Sequence, residues 1–119
     1  MKVKVSDYIA NFLSENGITD VFTVTGGGAM HLNDALGHHP KLKCTYNHHE
    51  QACAIAAEGD TRYSGKLAVV CVTSGPGGTN ALTGILGGWL DSIPMFVLSG
   101  QVKRETTVGS TNLPLRQLG

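Results

Sequence analysis

Six consecutive apolar residues, Leu67 to Val72, restrict the fold more than any other segment of the chain. A strand that is apolar on both faces must be covered on both sides, which is typical of a central strand in a parallel sheet between two layers of helices. The run is followed by Ser74-Gly75-Pro76, so it cannot continue as a helix that crosses a membrane. It therefore predicts the middle of an α/β domain.

Strand and helix patterns alternate along the rest of the chain. Short apolar segments predict three further strands, at 20–24, 42–46 and 95–98. Apolar residues at helical spacing predict four helices, around 6–16, 29–36, 52–63 and 82–90. The first helix has Ser6 as its predicted N-cap and Gly17 at its end. Leu42, Cys44 and Tyr46 alternate with polar residues, so the second strand is expected near a sheet edge.

Alternating strands and helices with short connections predict a doubly wound parallel sheet with helices on both faces. Residues 101 to 119 contain no convincing helix or strand pattern. The chain is therefore expected to stop before its sheet is complete, as the truncated part of a larger domain.

The composition excludes several classes of partner. Nine Lys and Arg balance nine Asp and Glu, which leaves no basic surface for nucleic acid or for a membrane. Only 15% of residues are charged, against about 25% in ordinary soluble chains, so part of the surface is expected to face protein rather than water. Three cysteines at unpatterned spacings and no apolar signal segment predict reduced thiols and a cytoplasmic location.

In an open parallel sheet, ligands bind outside the carboxyl ends of the strands. The three turns predicted there are 25–28, 47–50 and 73–80, and two of them are rich in glycine. Glycine amides at a helix start can bind phosphate, so a nucleotide- or phosphate-binding module is one alternative. Neither turn completes a dinucleotide or P-loop pattern, however. Gly84, Gly87 and Gly88 lie inside the fourth helix, where glycine is unfavourable. Another element is therefore expected to approach this helix closely, and a second subunit is a natural candidate.

Glu50 is the chemically most interesting residue of these turns, and its position allows two interpretations. Asn47 followed three residues later by Glu50 is the pattern of a helix capping box. Alternatively, a carboxyl group with Ala52 and Cys53 behind it, between glycine loops, is suited to sharing a proton in a solvent-poor crevice. The adjacent histidine pairs at 38–39 and 48–49 have diverging side chains, so no metal site is predicted in this chain.

Four ordered motifs together resemble a known family. They are Val21 to Leu36, His49 to Gly59, Thr73 to Asn80, and the pair Asp91 to Pro94 with Ser99 to Gln101. In this order and at these separations they are similar to the N-terminal pyrimidine-binding domain of thiamine diphosphate enzymes of the acetolactate synthase group. The resemblance covers nearly the whole chain.

The resemblance implies that Glu50 contacts the ring nitrogen N1′ of the cofactor's aminopyrimidine and relays the proton that activates the thiazolium C2. The ring would be lined by residues matching Val24, Thr25, Gly26, Pro76 and Asn80. The cofactor would lie between two chains of a homodimer or larger homo-oligomer. Its diphosphate and Mg²⁺ would be held by the partner's diphosphate-binding domain, which this chain lacks, as it lacks the central domain. The reaction would decarboxylate or ligate 2-oxo acids, and the chain alone would be inactive.

Some positions depart from the acetolactate synthase pattern. Thr23 stands in place of glycine, Thr25 in place of proline and Asp60 in place of tyrosine. The glutamine usually found near the cofactor matches Gln117 or lies beyond Gly119. These departures bear on the particular reaction more than on the family. A non-catalytic assembly domain with the same fold is the second alternative.

Overall fold

The computed structural model describes residues 2–107. This part of the chain forms four α-helices and four strands in strict alternation, and their bounds are α1 (Val5–Glu15), β1 (Asp20–Thr23), α2 (Met30–His38), β2 (Lys43–Tyr46), α3 (Glu50–Ser64), β3 (Ala68–Val72), α4 (Pro76–Leu90) and β4 (Met95–Ser99). Short 3-10 turns occur at Gly27–Ala29 and Arg104–Thr106. The second of these lies in the part predicted to be without structure, and Gln117 lies outside the described residues.

The four strands form one parallel sheet in the order β2-β1-β3-β4. Val21 of β1 pairs with Cys44 of β2 on one side and with Val69 of β3 on the other. All five residues of β3 are buried, whereas β2 lies at the edge of the sheet and is mostly exposed. The prediction of a parallel α/β sheet, with the 67–72 segment in its middle and 42–46 at an edge, is confirmed.

The residues of β3 alternate between two hydrophobic cores. Val69 and Cys71 pack with residues of α1 and α2, and Val70 and Val72 pack with residues of α3 and α4. Full burial of one such apolar side chain contributes about 1.5–3 kcal/mol to folding. The helices therefore cover both faces of the sheet, as the apolar pattern of this strand predicts.

The ends of α1 agree with the sequence only in part. Gly17 has a φ of 79°, and the N–H groups of Gly17 and Ile18 donate to the carbonyls of Ser14 and Leu13, each at 3.1 Å. These two bonds complete the helix termination that a glycine in the left-handed region allows. The prediction of Ser6 as the N-cap is wrong, because the helix begins at Val5 and the Ser6 side chain is buried in its first turn.

The glycine-containing face of α4 is buried, and its large apolar residues point outward. Its buried residues are small, namely Gly77, Ala81, Gly84 and Gly88. A Cβ atom added at Gly84 would lie 2.6 Å from the Cβ of Ala54 in α3. The predicted close approach to this helix is made at Gly84 by α3 of the same chain, rather than by the second subunit that the sequence suggested as a candidate. We call this contact the α3–α4 seam.

The large apolar side chains of α4 lie opposite the seam. Leu82, Leu86 and Trp89 are 58%, 54% and 78% exposed, and Ile55 of α3 is 52% exposed. An apolar stripe on a helix usually marks the side that packs on the core, but here the glycines allow α3 to approach the other side. We call these four residues the outer apolar face. Among residues 2–107, no helix has the length and hydropathy needed to span a membrane.

Candidate functional site

The strand order reverses between β1 and β3, so the chain leaves these two neighbouring strands toward opposite sides of the sheet. Such a reversal opens a crevice at the carboxyl ends of the strands. Three segments meet at this edge: residues 24–28 after β1, the start of α3 after β2, and residues 73–77 after β3. They contain most of the residues that the sequence predicts for the site.

Thr73 fills the space that the glycines leave. Its Oγ1 accepts a hydrogen bond of 3.0 Å from the backbone N–H of Gly28. A Cβ atom added at Gly26 would lie 2.5 Å from the Thr73 Cβ, and one added at Gly77 would lie 2.7 Å from its Cγ2. These two glycines therefore allow the β1 and β3 loops to close around a protein side chain. The Gly28 amide is already paired, which argues against its use in a phosphate site.

Glu50 is the first residue of α3, and His49 is the N-cap. The Nδ1 atom of His49 accepts from the N–H of Gln51 at 3.1 Å, which pairs one of the free amides of the first turn. Asn47 lies outside the helix, where its N–H donates to the carbonyl of Thr23 and its Nδ2 to the Sγ of Cys53. The capping-box interpretation is wrong because a histidine caps the helix and Glu50 is at its first position rather than its third.

The carboxylate of Glu50 extends from α3 to the first turns of α4. Its Oε2 accepts a hydrogen bond of 3.1 Å from the Nδ2 of Asn80. Its Oε1 lies beside Gly77, 3.4 Å from where a Cβ atom there would be. Glu50 is half-buried in this chain, so its surroundings are less dry than the sequence pattern suggests.

The other predicted site residues surround Glu50 to different degrees. Val24 is half-buried and Thr25 is exposed, and both lie in the loop that Thr73 joins to α4. Pro76 is the exposed first residue of α4, so the predicted turn at 73–80 is in fact a short loop and the beginning of a helix. The Glu50–Asn80 pair is the one direct side-chain hydrogen bond between predicted site residues within 2–107.

Three residues near the site were not among the predicted site residues. Thr73 joins the two glycine loops, and Asn47 ties the segment before Glu50 to β1. Cys53 is buried one turn after Glu50, and burial raises the pKa of its thiol. The role of Thr73 could have been predicted from its position, because it is a polar residue directly after a buried strand. Among the described residues, no three His, Cys, Asp or Glu side chains converge as metal ligands would.

Comparison with known protein families matches residues 3–116 to the family described as "Thiamine pyrophosphate enzyme, N-terminal TPP binding domain". The match extends over all the motifs on which the resemblance was based. The chain belongs to this family. As a member of it, the domain has the expected α/β architecture, and its carboxyl-end crevice is where a ligand of such a fold binds.

Curated relatives of this thiamine pyrophosphate-binding domain include acetolactate synthase large subunits. The chain is 43% identical over 97 residues to that of Buchnera aphidicola from Acyrthosiphon pisum, and 42% identical over 97 residues to the isozyme 3 large subunit of Escherichia coli K12. It is 40% identical over 102 residues to the chloroplastic acetolactate synthase 1 of rice. These matches cover 82%, 82% and 86% of the chain but 17%, 17% and 16% of the relatives.

Proposed function

We propose that this domain supplies the pyrimidine-binding half of a thiamine diphosphate site in an enzyme that decarboxylates or ligates 2-oxo acids, as acetolactate synthases do. Glu50 is the proposed catalytic residue. The observation that carries the proposal is the placement of this carboxylate at the crevice, with Oε2 held by Asn80 and Oε1 beside Gly77. Within residues 2–107, no hydrogen-bond donor is paired with Oε1, so this atom can share a proton with a ring nitrogen.

The residues around Glu50 fit a flat heteroaromatic ring. Val24, Thr25 and Gly26 lie in the loop after β1 on one side of the crevice, and Pro76 and Asn80 lie at the start of α4 on the other. A Cβ atom added at Gly27 would have no neighbour within 4 Å, so this loop borders open space. When bound, thiamine diphosphate would supply the electron sink for loss of carbon dioxide from a 2-oxo acid. The protein would position the ring and hold one proton at Glu50.

The diphosphate and Mg²⁺ are proposed to bind to a separate domain of a partner subunit, in a homodimer or larger homo-oligomer. The outer apolar face supports this arrangement, because Leu82, Leu86 and Trp89 expose large apolar side chains on the helix that begins at the site. Contiguous apolar surface of this kind is typical of protein interfaces. The chain would then be the N-terminal part of a longer cytoplasmic protein, since its relatives are about six times its matched length.

Replacement of Glu50 by glutamine in the full-length protein tests the proposed role. Glutamine keeps the shape of the side chain but cannot exchange a proton, so turnover of a 2-oxo acid such as pyruvate is expected to fall by about 10²–10⁴-fold. Glu15→Gln is the matched control, because Glu15 is exposed at the far end of α1. Unchanged turnover in Glu50→Gln would leave the residue without a catalytic role and would favour the non-catalytic assembly domain.

A thermal-shift experiment separates the proposal from a nucleotide- or phosphate-binding module. Stabilisation of the full-length protein by thiamine diphosphate with Mg²⁺, but not by nucleotides, is the expected result. Stabilisation by a nucleotide alone would contradict the proposal.

A further inference from the structure

We infer that Asn80 is a positioning residue that fixes the orientation of the Glu50 carboxylate, and thereby the place of the oxygen that shares the proton. This inference rests on the proposed function. It gives Asn80 a second role, in addition to lining the cofactor's pyrimidine ring. Asn80 holds Oε2, whereas Oε1 lies beside Gly77 and accepts no hydrogen bond within residues 2–107.

Glu50 needs such a partner because the helix alone does not orient its carboxylate. The side chain has three rotatable bonds, so its carboxylate can take several positions and orientations unless another group holds it. At the first position of α3, only the backbone is held, through the His49 cap. A proton relay requires one oxygen in one place, because small displacements of a reacting group cost large factors in rate.

The Asn80 amide is suited to this task by its chemistry. An ionised carboxylate can only accept hydrogen bonds, so the NH₂ group of the amide, and not its oxygen, must face Oε2. The N–O distance of 3.1 Å is within the normal range for such a bond. A hydrogen bond to a charged group is stronger than one between neutral groups.

The Asn80 side chain is also mounted on a rigid support. It lies on α4, one turn before Gly84, where α3 and α4 are in close contact. A Cβ atom at Gly84 would be only 3.0 Å from the carbonyl oxygen of Gln51, the residue that follows Glu50. The backbones of the two helices are in close contact here, so the seam supports the distance between donor and acceptor.

Gly77 and Asn80 act on opposite oxygens of the carboxylate. Gly77 has no side chain, and a Cβ atom added there would lie 3.4 Å from Oε1 of Glu50. A larger residue at 77 would cover this oxygen and would also clash with Thr73. The first turns of α4 therefore hold one oxygen and place no side chain over the other at residue 77.

The test uses the full-length protein and two substitutions at one position. Asn80→Ala removes the donor, and Asn80→Asp keeps the shape but has no N–H to donate at neutral pH. Each is expected to lower kcat by about 10- to 100-fold, the value of a hydrogen bond to a charged group, with little change in the KM for pyruvate. Asn11→Ala is the matched control, because Asn11 is exposed on α1 and its partner is His39. Thermal melting confirms that each variant is folded.

Cofactor affinity provides a second readout that does not depend on turnover. The affinity for thiamine diphosphate with Mg²⁺ is measured by calorimetry for Asn80→Ala, Glu50→Gln and the double variant. If Asn80 acts through Glu50 as well as lining the ring, the loss of affinity in the double variant is smaller than the sum of the losses in the two single variants.

Additive losses of affinity would mean that Asn80 acts on the ring independently of Glu50, and they would overturn the inference. Kinetics of Asn80→Ala equal to those of Asn11→Ala would also overturn it. Both results leave the proposed function intact if Glu50→Gln is inactive. Failure of the unsubstituted protein to bind thiamine diphosphate would instead refute the proposed function itself.

Discussion

Replacement of Gly84 by alanine is expected to destabilise the domain, although the same change in an open helix is stabilising. Alanine is favoured over glycine in a helix interior by about 1 kcal/mol. At Gly84, however, the added Cβ atom would lie 2.6 Å from the Cβ of Ala54, 3.0 Å from the carbonyl oxygen of Gln51 and 3.1 Å from the backbone nitrogen of Ile55.

The loss of stability in Gly84→Ala can be estimated from the distance by which α3 and α4 would have to separate. Carbon atoms in good contact are about 3.5–4.0 Å apart, so α3 and α4 would have to separate by about 1 Å. Two of the three obstructing atoms belong to the backbone of α3 and cannot rotate away. The cost therefore lies at the upper end of the usual about 1–3 kcal/mol for overpacking. After the gain in helix propensity, a net loss of about 2 kcal/mol remains.

Gly87→Ala on the same helix is the matched control. A Cβ atom there would meet only the Oε2 of the Glu58 side chain, at an ordinary 3.4 Å. This variant is expected to be more stable than the original by about 0.5–1 kcal/mol, because only the propensity gain applies. Urea denaturation followed by circular dichroism measures both. If Gly84→Ala is as stable as Gly87→Ala, the close packing of the seam is refuted.

Three further outcomes are expected. Thr73→Val should cost about 1–3 kcal/mol in urea denaturation because it leaves the N–H of Gly28 unpaired, whereas Thr73→Ser keeps the acceptor and should cost less. Burial raises the pKa of Cys71 from 9.0 to about 11, so the stability it contributes below pH 9.0 should be lost as the pH rises toward 11; Cys71→Ala should remove this part of the pH dependence. Leu86→Lys changes a residue that is 54% exposed, so it should leave the melting temperature nearly unchanged but lower the oligomeric state in analytical ultracentrifugation; an unchanged assembly would exclude the outer apolar face as an interface.

The strands could be predicted from the sequence because each carries its burial pattern in its own residues. The run from Leu67 to Val72 requires cover on both sides, and β3 is buried throughout. The alternation around Cys44 indicates an edge, where β2 lies. These features are local, since side chains on a strand alternate between its faces whatever the partner strands are.

The buried face of α4 could not be predicted in the same way. Leu82, Leu86 and Trp89 form the clearest apolar stripe in the chain, yet they are exposed, and the buried positions such as Gly84 carry almost no side chain. Which face of a helix is buried depends on what approaches it. Here that is Ala54 of α3, about 30 residues earlier in the chain, which is a tertiary contact.

The hydrogen bonds around Glu50 also could not be predicted from the spacing of residues in the sequence. Asn47 and Glu50 have the separation of a capping box, but the same residues are also compatible with a loop followed by a helix. The structure differs because the Asn47 N–H is bonded to Thr23 in β1 and the His49 ring caps α3. Glu50 is thus free to reach Asn80 on another helix. The resemblance to a family named Glu50 and Asn80 as site residues but did not predict this bond between them.

The small residues of the α3–α4 seam have a consequence for engineering. Since Ala54 and Gly84 meet at nearly backbone distance, neither helix can be redesigned or exchanged without the other. The outer apolar face is built from side chains that take no part in the seam, so its chemistry can be altered separately. A graft of this site onto another scaffold should therefore transfer both helices as one block, with new residues introduced only on the outward side.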